Sequence, residues 1–195
     1  MSRIFFTSDL HLSHTNIAGP KVSKWKEGYR DFDTVHDMNK CITQTLNKYV
    51  KAEDTLYFLG DFCFGGHQNT PNLRNQINCR TIHVCRGNHD NHIDLYKDSF
   101  TTIQDVLTVS HGSHKFFLSH YPHLSWHHAS KGVIMLHGHE HGMIDYLNIS
   151  CRRQDVGIDT AKKLFNEYRP FSIEEVISIA EKKAPLILGH HKGQH

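Results

Sequence analysis

The sequence is short of cysteine, and its few cysteines form no pairing motif. Five cysteines occur among 195 residues, none in a C-x-x-C arrangement, and an odd number cannot close completely into disulfides. This count argues against a disulfide scaffold and favours a reducing compartment. A cytoplasmic location is therefore expected.

The sequence also lacks a long apolar run near its start, an excess of charge and a P-loop signature. The apolar run Ile4-Phe5-Phe6 is too short for a signal peptide or membrane span. Lys and Arg number 22 against 20 Asp and Glu, so no membrane partner is expected and there is no strong nucleic-acid signature. Gly65-Gly66 is not part of a G-x-x-x-x-G-K phosphate loop. Phosphorylated small molecules or nucleotides remain compatible substrates.

Internal repeats and linkers are absent as well, and the length fits one domain. We expect a single domain over residues 1–189. A disordered tail is expected over residues 190–195, because order is poorest at chain termini.

What the sequence has in excess is histidine, with 19 residues against 22 Lys and Arg together. Neutral imidazole is the commonest metal ligand in proteins, and it also titrates near physiological pH. The excess therefore indicates metal or proton chemistry, and the spacing of the histidines must indicate which ones take part.

Strand-like and helix-like segments alternate along the chain. Short apolar or β-branched runs predict strands over residues 3–8, 55–59, 81–85, 115–119 and 133–136. Apolar residues three or four apart predict a crossover helix after a cap at Asp33. A shorter helix is expected over residues 70–77, and Ser172 with Glu175 predicts a capping box that opens a C-terminal helix. This alternation favours an α/β layered fold with its functional residues beyond the carboxyl ends of the strands.

Residue types that bind metals follow each predicted strand. The five segments are Asp9-Leu10-His11, Gly60-Asp61, Gly87-Asn88-His89-Asp90, His120, and Gly138-His139-Glu140-His141. Glycine in three of them would let the backbone turn sharply and approach an ion closely. Taken alone, Asp-x-His and Gly-Asp are weak signals and His120 has a structural explanation. All five in this order after strand-like runs indicate a built metal site.

With these five segments the chain closely resembles the calcineurin-like metallophosphoesterase superfamily. Its successive motifs are Asp-x-His, Gly-Asp, Gly-Asn-His-Asp or Glu, a lone His, and Gly-His-x-His, and the resemblance spans residues 9–141. The segments around Gly157-Ile158-Asp159 and Tyr168-Arg169-Pro170 resemble a compact bacterial and phage subgroup. The resemblance implies an α/β fold of four αββα layers, with two mixed β-sheets between flanking helices.

The resemblance also implies two metal ions with seven ligands. One ion would be held by Asp9, His11, Asp61 and His141, and the other by Asp61, Asn88, His120 and His139, with Asp61 as the bridge. Oxygen and imidazole ligands suit Mn, the expected metal, and also Fe, Zn, Ni or Co. The ions would be divalent or trivalent.

The implied reaction is the hydrolysis of a phosphate ester, with a phosphodiester preferred because the compact chain shows no separate substrate domain. A metal-bound hydroxide would attack phosphorus. By the same resemblance His89 is the general acid for the leaving oxygen, and Asp90 would orient its imidazole.

Residues outside the five motifs have less defined roles. His14 lies three residues after His11 and is a candidate for substrate contact, as well as for a structural hydrogen bond. Residues 13–30 lack periodicity, and a solvated loop and a lid that faces substrate are both open. Arg30 would grip phosphate from such a lid.

Three alternative functions are considered, and the sequence fits them to different degrees. A structural zinc domain fits poorly, because such sites are closed and rich in cysteine. A catalytically silent binding protein on the same fold is a better alternative. Among enzymes, the alternative is a phosphomonoesterase acting on a nucleotide or phosphoprotein.

Overall fold

The computed structural model describes residues 2–188, except for the side chain of His67, and contains two mixed β-sheets. The first sheet has the strand order β4-β3-β2-β1-β9. Its members are β1 (Ile4–Thr7), β2 (Thr55–Phe58), β3 (Thr81–Cys85), β4 (Thr102–Gln104) and β9 (Phe171–Ser172). Strands β1 to β4 are parallel and β9 runs antiparallel to β1. The predicted tail at 190–195 lies outside the described residues.

The second sheet has the order β5-β6-β7-β8. Its members are β5 (Val106–His111), β6 (His114–Ser119), β7 (Ile134–His137) and β8 (Arg153–Asp155). Strands β5 and β6 pair antiparallel, whereas β6, β7 and β8 are parallel. Parallel strands end at the same edge of a sheet, so β6 and β7 deliver the segments that follow them to one rim.

The helices are α1 (Thr15–Ala18), α2 (Val35–Tyr49), α3 (Thr70–Arg74), α4 (Asp145–Asn148), α5 (Ile158–Phe165) and α6 (Ile173–Glu181). Short 3₁₀ turns occupy His67–Asn69, Ile93–Ser99 and Ala129–Lys131. The predicted crossover helix is confirmed as α2, but its cap is Thr34 rather than Asp33. The Thr34 hydroxyl accepts a hydrogen bond from the Asp37 amide. The capping box of α6 is confirmed at Ser172 and Glu175.

Within residues 2–188, three apolar clusters hold the sheets and helices together, and two of them lie on opposite faces of the first sheet. Strand β1 contributes to the apolar layers on both faces of its sheet, because successive side chains of a strand point to opposite faces. Phe5 belongs to the layer between the first sheet and α2, with Met38 and Ile42. Phe6 belongs to the layer between the two sheets, with Phe116. The fold is therefore α/β, with two mixed sheets and flanking helices as expected.

The predicted strands agree with the observed ones to within one or two residues at each end. Among the described residues, no helix is both long enough and apolar enough to cross a membrane.

Candidate metal centre

The seven predicted ligands meet at one rim, where the carboxyl ends of strands from both sheets come together. Asn88 links the groups of the two sheets, since its Oδ1 lies 3.0 Å from His120 Nε2 and 2.9 Å from His139 Nδ1. Asp61 Oδ2 lies 3.6 Å from Nε2 of both His11 and His120. The remaining pair are Asp9 and His141, with Oδ1 and Nε2 3.9 Å apart.

The backbone at five of these residues is left-handed. Values of φ lie between 48° and 70° at Asp9, His11, Asp61, His139 and His141. Such conformations cost about 1–3 kcal/mol each in residues other than glycine and collect at functional sites. Hydrogen bonds between the loops after β1 and β2 hold three of them, with the Asp9 amide donating to the Gly60 carbonyl at 2.9 Å and the His11 amide donating to the Asp61 carbonyl at 3.0 Å. The His139 amide donates to the Asp9 carboxylate at 3.1 Å.

Glycine permits the close approach of the loops. A Cβ at Gly87 would lie 2.1 Å from Asp61 Oδ1, and one at Gly138 would lie 2.4 Å from Asp9 Oδ2. Neither position has room for a side chain, so both glycines allow the loops to approach each other closely.

The donor atoms fit a bound cation. Both ring nitrogens of His11 are buried and have no hydrogen-bond partner within residues 2–188, although buried polar groups normally have one. Burial also raises the pKa of Asp9 to about 8, an effect opposed by His141 and reinforced by Asp155. Burial, with Arg30 and His141 adding to it, lowers the pKa of His11 well below its usual value. Buried carboxylates beside neutral imidazoles are groups that a cation would stabilise.

Two imidazoles are oriented by their outer nitrogens. His120 Nδ1 lies 2.7 Å from the Leu59 carbonyl oxygen, and His141 Nδ1 lies 2.7 Å from Asp159 Oδ2. When Nδ1 donates in these bonds, Nε2 faces the centre as an acceptor. Histidines that bind metals commonly have this second hydrogen bond.

Arg30 has a setting different from the phosphate contact predicted for it. Its side chain is buried and donates from Nε and Nη2 to the Asp159 carboxylate at 2.8 and 2.9 Å. Its Nη2 and Nη1 also donate to the carbonyls of Asp9 and Leu10. Arg30 also lines the larger cavity. Because its three guanidinium nitrogens already donate to Asp159 and to the two carbonyls, these contacts favour a positioning role for Arg30 over direct phosphate binding.

Asp90 is likewise placed differently from its predicted role of orienting the His89 ring. Its carboxylate accepts hydrogen bonds from the amides of Asp61, Phe62 and Gly87, at 2.7 to 3.0 Å. Both oxygens are thus used by backbone groups. Asp90 clamps the β2 loop to the β3 loop, and this geometry corrects the earlier interpretation.

His89 and His14 both lie beside the centre. The His89 side chain is 40% exposed, and its Nε2 lies 4.0 Å from Asp61 Oδ2. His14 is buried; its Nδ1 accepts from the Ile17 amide at the start of α1, and its ring lies 5.7 Å from that of His11. The structural hydrogen bond considered for His14 is therefore present, and its ring also faces a cavity.

Asp155 and Asp159 are residues near the centre to which sequence reasoning gave no role. Asp155 accepts from the amides of Gly142 and Gly157, at 2.9 and 2.7 Å, and so ties the His-x-His loop to the start of α5. Asp159 bonds His141 and Arg30. Asp155 is the last residue of β8 and Asp159 lies in the first turn of α5, which follows it. Their position at a strand end resembles that of the other motifs, but β8 is only three residues long and gave no periodic signal.

Two cavities adjoin the centre. The larger, of about 870 Å³, is lined by His11, His139 and His141, with Trp25, Tyr29, Tyr168, Lys162 and Lys163 around them. The smaller, of about 300 Å³, is lined by Phe62, Phe64, Ile93 and the backbone at Gly65 and Gly66. His89 lines both. The segment 13–30, for which a lid was one of the two interpretations, thus contributes Trp25 and Tyr29 to the larger cavity.

A comparison with known sequences assigns the class of protein. The sequence profile described as Calcineurin-like phosphoesterase matches residues 2–195, so the chain belongs to this family of phosphoric ester hydrolases. Membership implies divalent metal ions. Two groups of residues have donor atoms close enough to hold an ion, and they are Asp9, His11 and His141, and Asp9, Asp61 and His120.

The relatives cover most of the chain. Uncharacterized protein MJ1445 of Methanocaldococcus jannaschii is 28% identical, over 93% of both chains. Gene 66 protein of Mycobacterium phage D29 is 26% identical, over 82% of this chain and 89% of the relative. Among solved structures, the protein of unknown function AQ665 from Aquifex aeolicus has a TM-score of 0.67 at 22% identity. The alignment covers 92% of this chain and all of that one, and this likeness supports the fold.

Proposed function

We propose that this phosphoesterase is a binuclear enzyme that hydrolyses phosphodiesters of small molecules or nucleotides. The observation that supports it best is the position of Asp61. Its Oδ2 lies 3.6 Å from Nε2 of His11 on one side and of His120 on the other, as expected of a carboxylate shared by two ions.

Under this proposal, Asp9, His11, Asp61 and His141 hold one ion, and Asp61, Asn88, His120 and His139 hold the other. The mixture of oxygen and imidazole donors suits Mn, Fe, Zn, Ni or Co. Two ions, when bound, activate water and neutralise the phosphoryl oxygens. Manganese is the metal proposed for the native site.

His89 is proposed as the general acid. Its exposed ring borders both cavities, so the leaving oxygen of a bound ester can lie within reach of Nε2. Asp90 supports this position indirectly by fixing the loops on either side.

A diester is favoured over a monoester because His89 lines two cavities. A diester carries two organic groups on phosphorus, and the two cavities provide a separate volume for each. A monoester would use only one of them.

The test compares substrates on protein stripped of metal and then reconstituted. Added Mn²⁺ should restore hydrolysis of bis(p-nitrophenyl) phosphate, and p-nitrophenyl phosphate should be the poorer substrate. Asp61→Asn should abolish turnover and lower the metal content, since its loss disturbs both ions. Asp105→Asn is a matched control at an 83% exposed side chain paired with Arg86 and should behave as the unchanged protein. Full activity in protein shown to be free of metal would remove the binuclear hypothesis.

A further inference from the structure

The smaller cavity next to His89 is not explained by the metal-binding motifs. Apart from His89 and Asp90, its lining comes from the loop after β2, α3 and the turn that contains Ile93. Phe62 and Ile93 are nearly fully buried and form an apolar wall. The cavity of about 300 Å³ is at the small end of the range for ligand pockets, about 300–1,000 Å³.

We propose that this cavity binds a flat ring carried by the leaving alcohol of the substrate, as in a nucleoside or an aryl-substituted alcohol. The inference rests on the proposed function and adds the chemical class of the leaving group. The retained organic group occupies the larger cavity.

The position of the acid decides which organic group enters the smaller cavity. In hydrolysis the bond between phosphorus and the leaving oxygen breaks, and its electron pair stays on that oxygen. The oxygen takes the proton from His89, while a water molecule supplies the new oxygen on phosphorus. The leaving group must therefore begin at His89. Under the proposed function the phosphoryl group lies with His11, His139 and His141, which line the larger cavity. The smaller cavity, which His89 also lines, is then the one left for the leaving group.

The side chain of Phe64 favours a ring in this space. It is 39% exposed, although it packs against His89 at 5.1 Å and His14 at 4.1 Å between ring centroids. A partly exposed aromatic side chain that lines the cavity and is held by two neighbouring rings offers a stacking surface. Cys63 and Thr70 also line the cavity, and the Thr70 hydroxyl lies 3.3 Å from Cys63 Sγ.

The experiment measures which alcohol is released from a mixed diester. Thymidine 5′-methyl phosphate can yield either thymidine with methyl phosphate, or methanol with thymidine 5′-phosphate. Benzyl methyl phosphate offers the same choice with a simple ring. With Mn²⁺-reconstituted enzyme, release of the ring-bearing alcohol should dominate. Bias with thymidine alone would identify the nucleoside as the ligand, and bias with benzyl alone would identify an aryl group.

Phe64→Ala should shift the product ratio toward methanol by about 5- to 150-fold, the usual worth of one ring stacked on an aromatic side chain. Both leaving groups are alkoxides that need protonation, so damage to His89 would slow both routes and leave the ratio unchanged. Phe64→Leu, which keeps an apolar side chain, should shift the ratio in the same direction. Tyr146→Ala removes a 69% exposed ring that lines neither cavity and should leave the ratio as it is.

Dominant release of methanol from both diesters would overturn the inference, as would an unchanged ratio in Phe64→Ala. Hydrolysis of bis(p-nitrophenyl) phosphate with no hydrolysis of either methyl diester would overturn this inference and leave the proposed function in place. Failure of Mn²⁺ to restore any diester hydrolysis would instead remove the proposed function, and this inference with it.

Discussion

At the scale of single residues, the proposed acid His89 allows proton transfer to be tested separately from metal binding. It lies between Asn88 and Asp90 in the sequence, yet its half-exposed ring borders both cavities. His89→Ala should retain both metals and lose about 10²–10⁴-fold in turnover of alkyl diesters. Aryl diesters should lose less, because a phenolate leaves with little protonation.

The measurement for His89 is single-turnover hydrolysis of both substrate types, beside metal analysis of the same samples. His111→Ala, at the exposed end of β5, is the matched control. Loss of metal, or equal slowing of alkyl and aryl substrates, would show that His89 is not the acid.

Asp159 is a second residue with a separable role, as a positioning residue for His141. It joins His141 to Arg30, and Arg30 in turn holds the carbonyls of Asp9 and Leu10. Asp159→Asn should weaken metal binding by about 10- to 100-fold, the usual effect of removing a partner of a metal-binding histidine. Isothermal titration calorimetry with the metal ion measures this change in affinity directly.

The control for Asp159→Asn must show whether a lower free energy of unfolding explains the result, because the variant replaces the carboxylate that pairs with the buried Arg30 guanidinium. Asp54→Asn is suitable, since Asp54 is also buried but bonds Arg3 and Lys51 far from the centre. If both variants lower the affinity for metal equally, the effect of Asp159 is one of general stability and the positioning role is refuted.

At the scale of elements, Asp54 joins the beginnings of β1 and β2. Its buried carboxylate accepts from the Arg3 amide and guanidinium and from the Lys51 amide, at 2.7 to 3.3 Å. Burial alone would raise its pKa, but these hydrogen bonds outweigh burial and lower the pKa from 3.8. Asp54→Asn should reduce the free energy of unfolding by about 1–3 kcal/mol near neutral pH.

The pH dependence of this effect has a defined sign. A carboxyl whose pKa is lower in the folded protein stabilises the fold above its unfolded pKa, and that contribution is lost as the pH falls through the folded pKa. The stability gap between Asp54→Asn and the unchanged protein should therefore narrow below about pH 4. Urea unfolding of metal-free protein at pH 7, 4.5 and 3 tests this, with exposed Asp105→Asn as the control. A gap that stays constant over this range would contradict it.

At the scale of the whole molecule, the candidate metal centre joins the two sheets, because its candidate ligands follow β1, β2, β3, β6 and β7. Ions that bind only the folded chain stabilise it, by about 2.7 kcal/mol at 100 times their dissociation constant. For a chain of this length, that corresponds to a rise of roughly 5–10 °C in Tm. Calorimetry of stripped protein with and without Mn²⁺ measures the shift.

Selectivity distinguishes this centre from a general salt effect. Ca²⁺ prefers all-oxygen ligands, so it should raise the Tm less than Mn²⁺ at equal concentration, and Asp61→Asn should lose most of the Mn²⁺ effect. Equal shifts with Ca²⁺ and Mn²⁺ would contradict a site built from imidazole and carboxylate.

The sequence by itself determined the elements whose pattern is local. Strands β1, β2, β3, β6 and β7 were predicted because each is a run of apolar or β-branched residues with polar residues after it. Helix α2 was predicted from apolar residues three or four apart, and the capping box of α6 from Ser172 and Glu175, which are also local patterns. The candidate ligands were found because their motifs follow directly on these strands.

Only the tertiary structure decided the roles that depend on distant residues. Arg30 and Asp159 are 129 positions apart in the chain, so no local pattern connects them, and Arg30 was assigned to phosphate instead. Asp90 was assigned to its sequence neighbour His89, although its carboxylate bonds the β2 loop. The two cavities beside His89 likewise arise from segments that meet only after folding. Local patterns record which residue types an element needs, whereas the partner of each polar group depends on how the sheets and loops pack.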